Sequence, residues 1–91
     1  MSTLHTLSAL PGSEACADCL RLLDEGDALL LLGDGVHTIQ AVANLAGIEL
    51  YLLSPDAVAR GLTDRPENIA GLDMAGFVAL TERFVRQVAW Y

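Results

Sequence analysis

A chain of 91 residues, 53% of them hydrophobic and 19% charged, holds one core, so residues 1–91 read as a single domain. Twelve acidic residues against five basic ones give a net charge of −7 at pH 7, and a surface of that sign repels phosphate backbones, which excludes direct nucleic-acid binding. The apolar surplus is more than so small a core hides, so a subunit interface is expected, and the isolated chain has enough of it to form a homo-oligomer.

The elements follow in chain order. "TLHTL" (3–7) reads as a short strand. Leu10-Pro11-Gly12-Ser13 is a turn, with Ser13 as N-cap and Glu14 in the first turn of a helix running to about Glu25. Gly26 ends that helix. "DALLLLG" (27–33) is an unbroken apolar strand of the kind covered on both faces. Asp34-Gly35 turns the chain, and a helix is expected from Val36 to Ala46, closed by Gly47. "IELYLLS" (48–54) is a third strand. Ser54-Pro55-Asp56 opens a short helix that ends near Gly61-Leu62. "TDRPEN" (63–68) is a polar turn and "IAGLD" (69–73) a short strand. Asp73 caps a helix from Met74 to about Phe84, on which Phe77 and Leu80 face the core. "QVAWY" (87–91) closes the chain as an edge strand or an extended tail.

Strand and helix alternate throughout. The fold class is therefore α/β: one small domain with a mostly parallel sheet and helices on both faces. Sites in such sheets lie beyond the carboxyl ends of the strands. Here those positions are Ser8 to Ser13, Gly33 to Val36 and Ser54 to Asp56. The longest apolar run, Ala28 to Leu32, is too short to cross a bilayer, so no membrane contact is expected. The start "MSTLHTLSAL" has no basic region followed by a long apolar stretch, which places the chain in the cytoplasm, where thiols stay reduced.

The two cysteines sit in "SEACADCL" (13–20) with Cys-x-x-Cys spacing. Cys16, Cys19, Leu20 and Leu23 share one apolar helix face, so both cysteines can be core residues. A dithiol oxidoreductase is the second reading. Against it, Cys16 lies past the helix start and Asp18 places a negative charge beside the thiols. A zinc site needs four ligands, and His5 and His37 are far from the cysteines in sequence, so no metal and no cofactor is expected. A single working thiol is the fourth reading. Asp34-Gly35 can bring backbone close to a partner or be an ordinary turn. Arg60 can complement a helix end or anchor an interface. Trp90 packs over the sheet or against another subunit.

The chain as a whole resembles the TusB/DsrH family. The resemblance rests on the collinear stretches "MSTLHTLS", "CLRLLDEGDALLLLGDGVHT", "IELYLLSPDAVARGLTDR" and "DMAGFVALTERFVRQVAWY". It implies a DsrE/DsrH-like fold and a place in a sulfurtransferase complex, as an accessory rather than the main catalytic subunit. The implied partners are TusC/DsrF-like and TusD/DsrE-like subunits in a dimer of heterotrimers, a TusA-like donor and a TusE/DsrC-like carrier. Sulfur would travel as cysteine persulfide toward 2-thiouridine at the tRNA wobble position. The alternatives are a DsrEFH-type role in sulfur oxidation, an autonomous Cys-x-x-Cys enzyme, or a purely structural subunit. Cys19, followed by Leu20 and Arg21, matches a cysteine that some members carry in the first helix, so it is the candidate accessory persulfide site. Cys16 matches no such position and is assigned to packing. Asp34, Gly35, Arg60 and Trp90 are the interface candidates.

Overall fold

The structure, a computed structural model, describes residues 2–91. Its elements are β1 (Thr3–Leu7), α1 (Glu14–Leu22), β2 (Ala28–Leu31), α2 (Ile39–Val42), β3 (Glu49–Leu53), α3 (Ser54–Ala59), β4 (Ile69–Leu72), α4 (Met74–Glu82) and β5 (Arg86–Trp90). A 3₁₀ turn, Gly33–Thr38, leads into α2. The strands make one sheet in the order β4-β3-β2-β1-β5, and every pairing is parallel. The expected α/β layering is thus present, with the sheet parallel throughout.

The strand order explains which face each helix covers. The first three crossovers step one way, from β1 to β4. The last reverses across the sheet and sets β5 on the far side of β1. Right-handed crossovers put the reversing helix on the opposite face from the others. Accordingly Leu7, Leu29, Leu31, Leu50, Leu52 and Ile69 pack with Cys16 and Cys19 of α1, Val42 of α2 and Ala57 of α3. Leu4, Ala28, Leu30 and Leu53 pack with Leu80 of α4 and with Phe84 just after it. β2 lies between the two layers, so all four of its residues are buried. Each fully buried leucine here contributes on the order of 1.5–3 kcal/mol.

Several boundaries differ from the sequence expectation; β2, β3 and α4 are shorter at their ends than the 27–33, 48–54 and 74–84 expected. α1 stops at Leu22 instead of Glu25, because Leu23 turns extended and the Asp24 N–H is taken by the Asp27 carboxylate at 3.0 Å. The helix expected over 36–46 is a 3₁₀ turn followed by four α-helical residues. Gly35 is pressed so closely against the Leu7 carbonyl that the chain turns back at the strand end before a regular helix can begin. "QVAWY" resolves to an edge strand that starts one residue earlier, at Arg86. The capping expectations at Ser13 and Asp73 are met: Ser13 Oγ accepts from the Cys16 N–H at 3.2 Å and Asp73 Oδ1 from the Gly76 N–H at 2.7 Å.

Candidate functional site

The carboxyl ends of the strands form one connected row. Ser8, just past β1, donates its N–H to the Trp90 carbonyl at 2.9 Å, and its Oγ bonds the same carbonyl at 3.2 Å. On its other side Ser8 lies against Gly33, whose backbone adopts φ +53°. A Cβ on Gly35 would sit 2.0 Å from the Leu7 carbonyl oxygen. Gly35 is therefore an obligatory close approach that offers no side chain to a partner. The Gly33 N–H donates to Asp56 Oδ2 at 2.6 Å. Asp34, one residue on, pairs with Arg60 Nε at 3.2 Å, both at the surface. Four sequence candidates, Trp90, Gly35, Asp34 and Arg60, thus lie along one edge. Cys19 lies apart from it, under α1.

Both cysteines are free and turned into the core, Cys16 4% and Cys19 0% exposed. They share the helix face expected from their spacing, with Leu20 and Leu23 packed beside them. Burial pushes the Cys19 thiol up to about 12, and the neighbouring Cys16 adds to the effect. That leaves on the order of one thiolate in 10⁵ at pH 7, and the thiolate is the nucleophile. Cys16 Sγ lies 4.0 Å from Thr38 Oγ1, a contact between α1 and the 3₁₀ turn. Among the described residues no group of three His, Cys, Asp or Glu side chains could hold a metal ion.

A buried polar cluster escaped the sequence reading. His5, on β1, and Asp27, the residue before β2, are each 4% exposed. Asp27 Oδ1 accepts from the Thr3 N–H at 2.9 Å, and Oδ2 accepts from the Asp24 N–H at 3.0 Å and faces His5 Nε2 at 3.1 Å. Trp90 Nε1–H donates to His5 Nδ1 at 3.2 Å, with the two ring planes nearly parallel, 14° apart. An indole nitrogen only donates, so Nδ1 carries no proton, and Nε2 must carry the one that goes to Asp27. The pair is a neutral imidazole bonded to a carboxylate. Burial pushes the Asp27 carboxyl up, but the bonds from Thr3, Asp24 and His5 outweigh it and hold the group below its ordinary value. An open pocket of about 360 Å³ lies over the cluster, walled by Leu22, Arg86, Val88 and Trp90 among others. The one signal in the sequence was a histidine and an aspartate set into otherwise apolar strand segments.

An all-parallel five-stranded sheet with an arranged carboxyl edge and a thiol sealed on the inner face of its first helix makes this a small α/β protein. A family model described as "DsrH like protein" matches residues 11–87. "Protein TusB" of Pectobacterium parmentieri is 42% identical over 94 residues, covering 96% of this chain and 99% of that protein. "Protein TusB" of Escherichia coli O81 (strain ED1a) is 44% identical over 95 residues, with the same coverage of both chains. The chain belongs to the TusB/DsrH family, a family that takes part in sulfur relay to tRNA. Among the described residues no helix is long and apolar enough to cross a membrane.

Proposed function

We propose that this chain is an accessory subunit of a cytoplasmic sulfur-relay complex. It would assemble with TusC-like and TusD-like subunits, in a dimer of heterotrimers. The complex takes persulfide sulfur from a TusA-like donor and passes it to a TusE/DsrC-like carrier, toward 2-thiouridine at the tRNA wobble position. The observation that carries this reading is the collinear match to TusB proteins over nearly the full length of both chains. The name of those relatives favours the tRNA branch over sulfur oxidation. The acidic charge suits a subunit that hands sulfur to proteins and leaves tRNA to a downstream enzyme.

The row from Trp90 to Arg60 is the surface proposed to meet the partners. Asp34 and Arg60 present charge there, and Gly35 shapes the edge by its close approach to β1. Cys19 is the proposed accessory acceptor. Its thiolate would attack the outer sulfur of a donor persulfide. The S–S bond breaks, the donor leaves as a thiolate, and the outer sulfur remains on Cys19 as a persulfide, with no net oxidation. The burial of Cys19 restricts that step to a state in which α1 is displaced. In the closed chain the residue serves packing.

The test is capture of the chain from its own cells by an N-terminal tag at native expression. Two further small subunits in equal amounts support the reading, and recovery of the chain alone overturns it. Mass spectrometry of the captured complex then looks for one extra sulfur atom on the peptide holding Cys19. Its loss in Cys19→Ser, but not in Cys16→Ser, separates an accessory carrier from a dithiol enzyme and from a subunit that carries no sulfur.

A further inference from the structure

We infer that the free edge of β5 pairs with β5 of a second copy of this chain, antiparallel about a twofold axis through Val88, joining two sheets into one of ten strands. β5 is hydrogen-bonded on one side only, to β1. The Trp90 carbonyl accepts from Ser8 and so points at β1. Backbone groups alternate in direction along a strand. Arg86, Val88 and Trp90 therefore turn their N–H and C=O inward, and Gln87 and Ala89 turn theirs outward, unpaired among the described residues.

The twofold at Val88 satisfies that pattern. It makes Gln87 and Ala89 of the two copies a hydrogen-bonded pair at each end of the centre. Val88 meets Val88, and Arg86 meets Trp90, in non-hydrogen-bonded pairs, where facing side chains come closest. Arg86 makes no ion pair among the described residues, and the guanidinium of one copy can lie against the indole of the other. The same register sets Val85 opposite Tyr91. These two bracket the strand and are 93% and 88% exposed, more than any other large hydrophobic side chain described. A centre moved by one or two residues separates both the Arg86–Trp90 and the Val85–Tyr91 pairs. The strand has no acidic residue and no proline, so the devices that usually protect a sheet edge are absent apart from Arg86 itself. The net charge of each chain opposes association, but the two Arg86 side chains fall at opposite ends of the paired strands.

This pairing stands on the strand edge alone and does not depend on the relay reading. The isolated full-length chain, studied by sedimentation equilibrium from micromolar to millimolar concentration, is expected to reach twice the monomer mass. Ala89→Pro removes an outward N–H without touching the β1 ladder, and should return the mass to monomer with an unchanged far-UV spectrum. Val88→Cys should oxidise to a covalent dimer that neither the wild type nor Gln87→Cys forms. If Ala89→Pro fails to fold, this cross-linking comparison decides. The inference is overturned by a monomer at every concentration, the outcome if only a different chain covers this edge. It is also overturned by an Ala89→Pro dimer, or by equal cross-linking through positions 87 and 88.

Discussion

Removing the Asp27 carboxylate should be among the most damaging single changes in this chain. Asp27→Ala orphans the N–H groups of Thr3 and Asp24 and the Nε2–H of His5. Each buried donor left without an acceptor costs roughly 1–3 kcal/mol. Three such donors together set a range of roughly 3–9 kcal/mol, and water entering from the adjoining pocket holds the sum toward its lower end. We expect a loss of about 3–5 kcal/mol, against the roughly 5–15 kcal/mol that holds a domain of this kind. Asp27→Asn keeps the shape and one acceptor oxygen but turns an amide N–H toward a donor, so about half that loss is expected. Urea unfolding at pH 7, followed by the emission of the single tryptophan, gives both values. The pH dependence checks the mechanism. The folded carboxyl titrates below its unfolded value, so its contribution is complete above the ordinary range near ~3.9 and is lost as the pH falls through the folded value. Wild type should lose stability over that acid window, and Asp27→Asn should have a flatter profile there. A loss under about 1 kcal/mol for Asp27→Ala would show that the cluster is not the polar anchor described.

Gly35→Ala forces a Cβ onto the Leu7 carbonyl and should lower the melting temperature by about 12 °C or more, read by calorimetry. Neither cysteine should react with a disulfide reagent under native conditions, and both should react on unfolding; rapid native labelling of Cys19 would contradict its burial and raised pKa. Arg60→Ala removes only exposed contacts, to the Asp34 carboxylate and the Asp56 carbonyl, so stability should change by less than about 1 kcal/mol; a marked loss of partner capture at unchanged stability would identify Arg60 as an interface residue. Trp90→Phe keeps the ring but removes the N–H bonded to His5, and should destabilise by about 1 kcal/mol in urea.

The layering was legible because it depends on local pattern. The apolar run at 28–31 and the caps at Ser13 and Asp73 each act over a few residues. The failures have other causes, most of them distant. α1 ends early for a local reason that helix periodicity does not report, the capture of the Asp24 N–H by Asp27 three residues on. The helix after β2 is displaced because Gly35 meets a carbonyl of β1, more than twenty residues earlier in the chain. His5 and Trp90 are 85 residues apart and become neighbours only because the last crossover returns β5 to the side of β1. Trp90 could be read as packed or as an interface residue from sequence alone. In the structure it does the first through its indole nitrogen while remaining partly exposed at the edge.

The cysteines show why pattern and chemistry have to be weighed separately. A thiol held ready for persulfide exchange and a thiol used to fill a core both ask for a small, polarizable side chain on the apolar face of a helix. Periodicity reports only the face. What distinguishes them is the free energy of the thiolate, and at Cys19 burial and the nearby Cys16 set it against ionisation. Any route to reactivity must change the surroundings of Cys19, since the residue itself is fixed. Cys19 sits on the inner face of α1, nine residues long and capped at its start by Ser13, so those surroundings are set by what α1 packs against. Its contacts with the rest of the chain include the 3₁₀ turn, through Cys16 and Thr38, and strands β1 and β5. Those segments end at the row that runs from Trp90 to Arg60. If partners dock on that row as proposed, they would act on the supports of α1, and Cys19 on its inner face is the group whose chemistry would register the change.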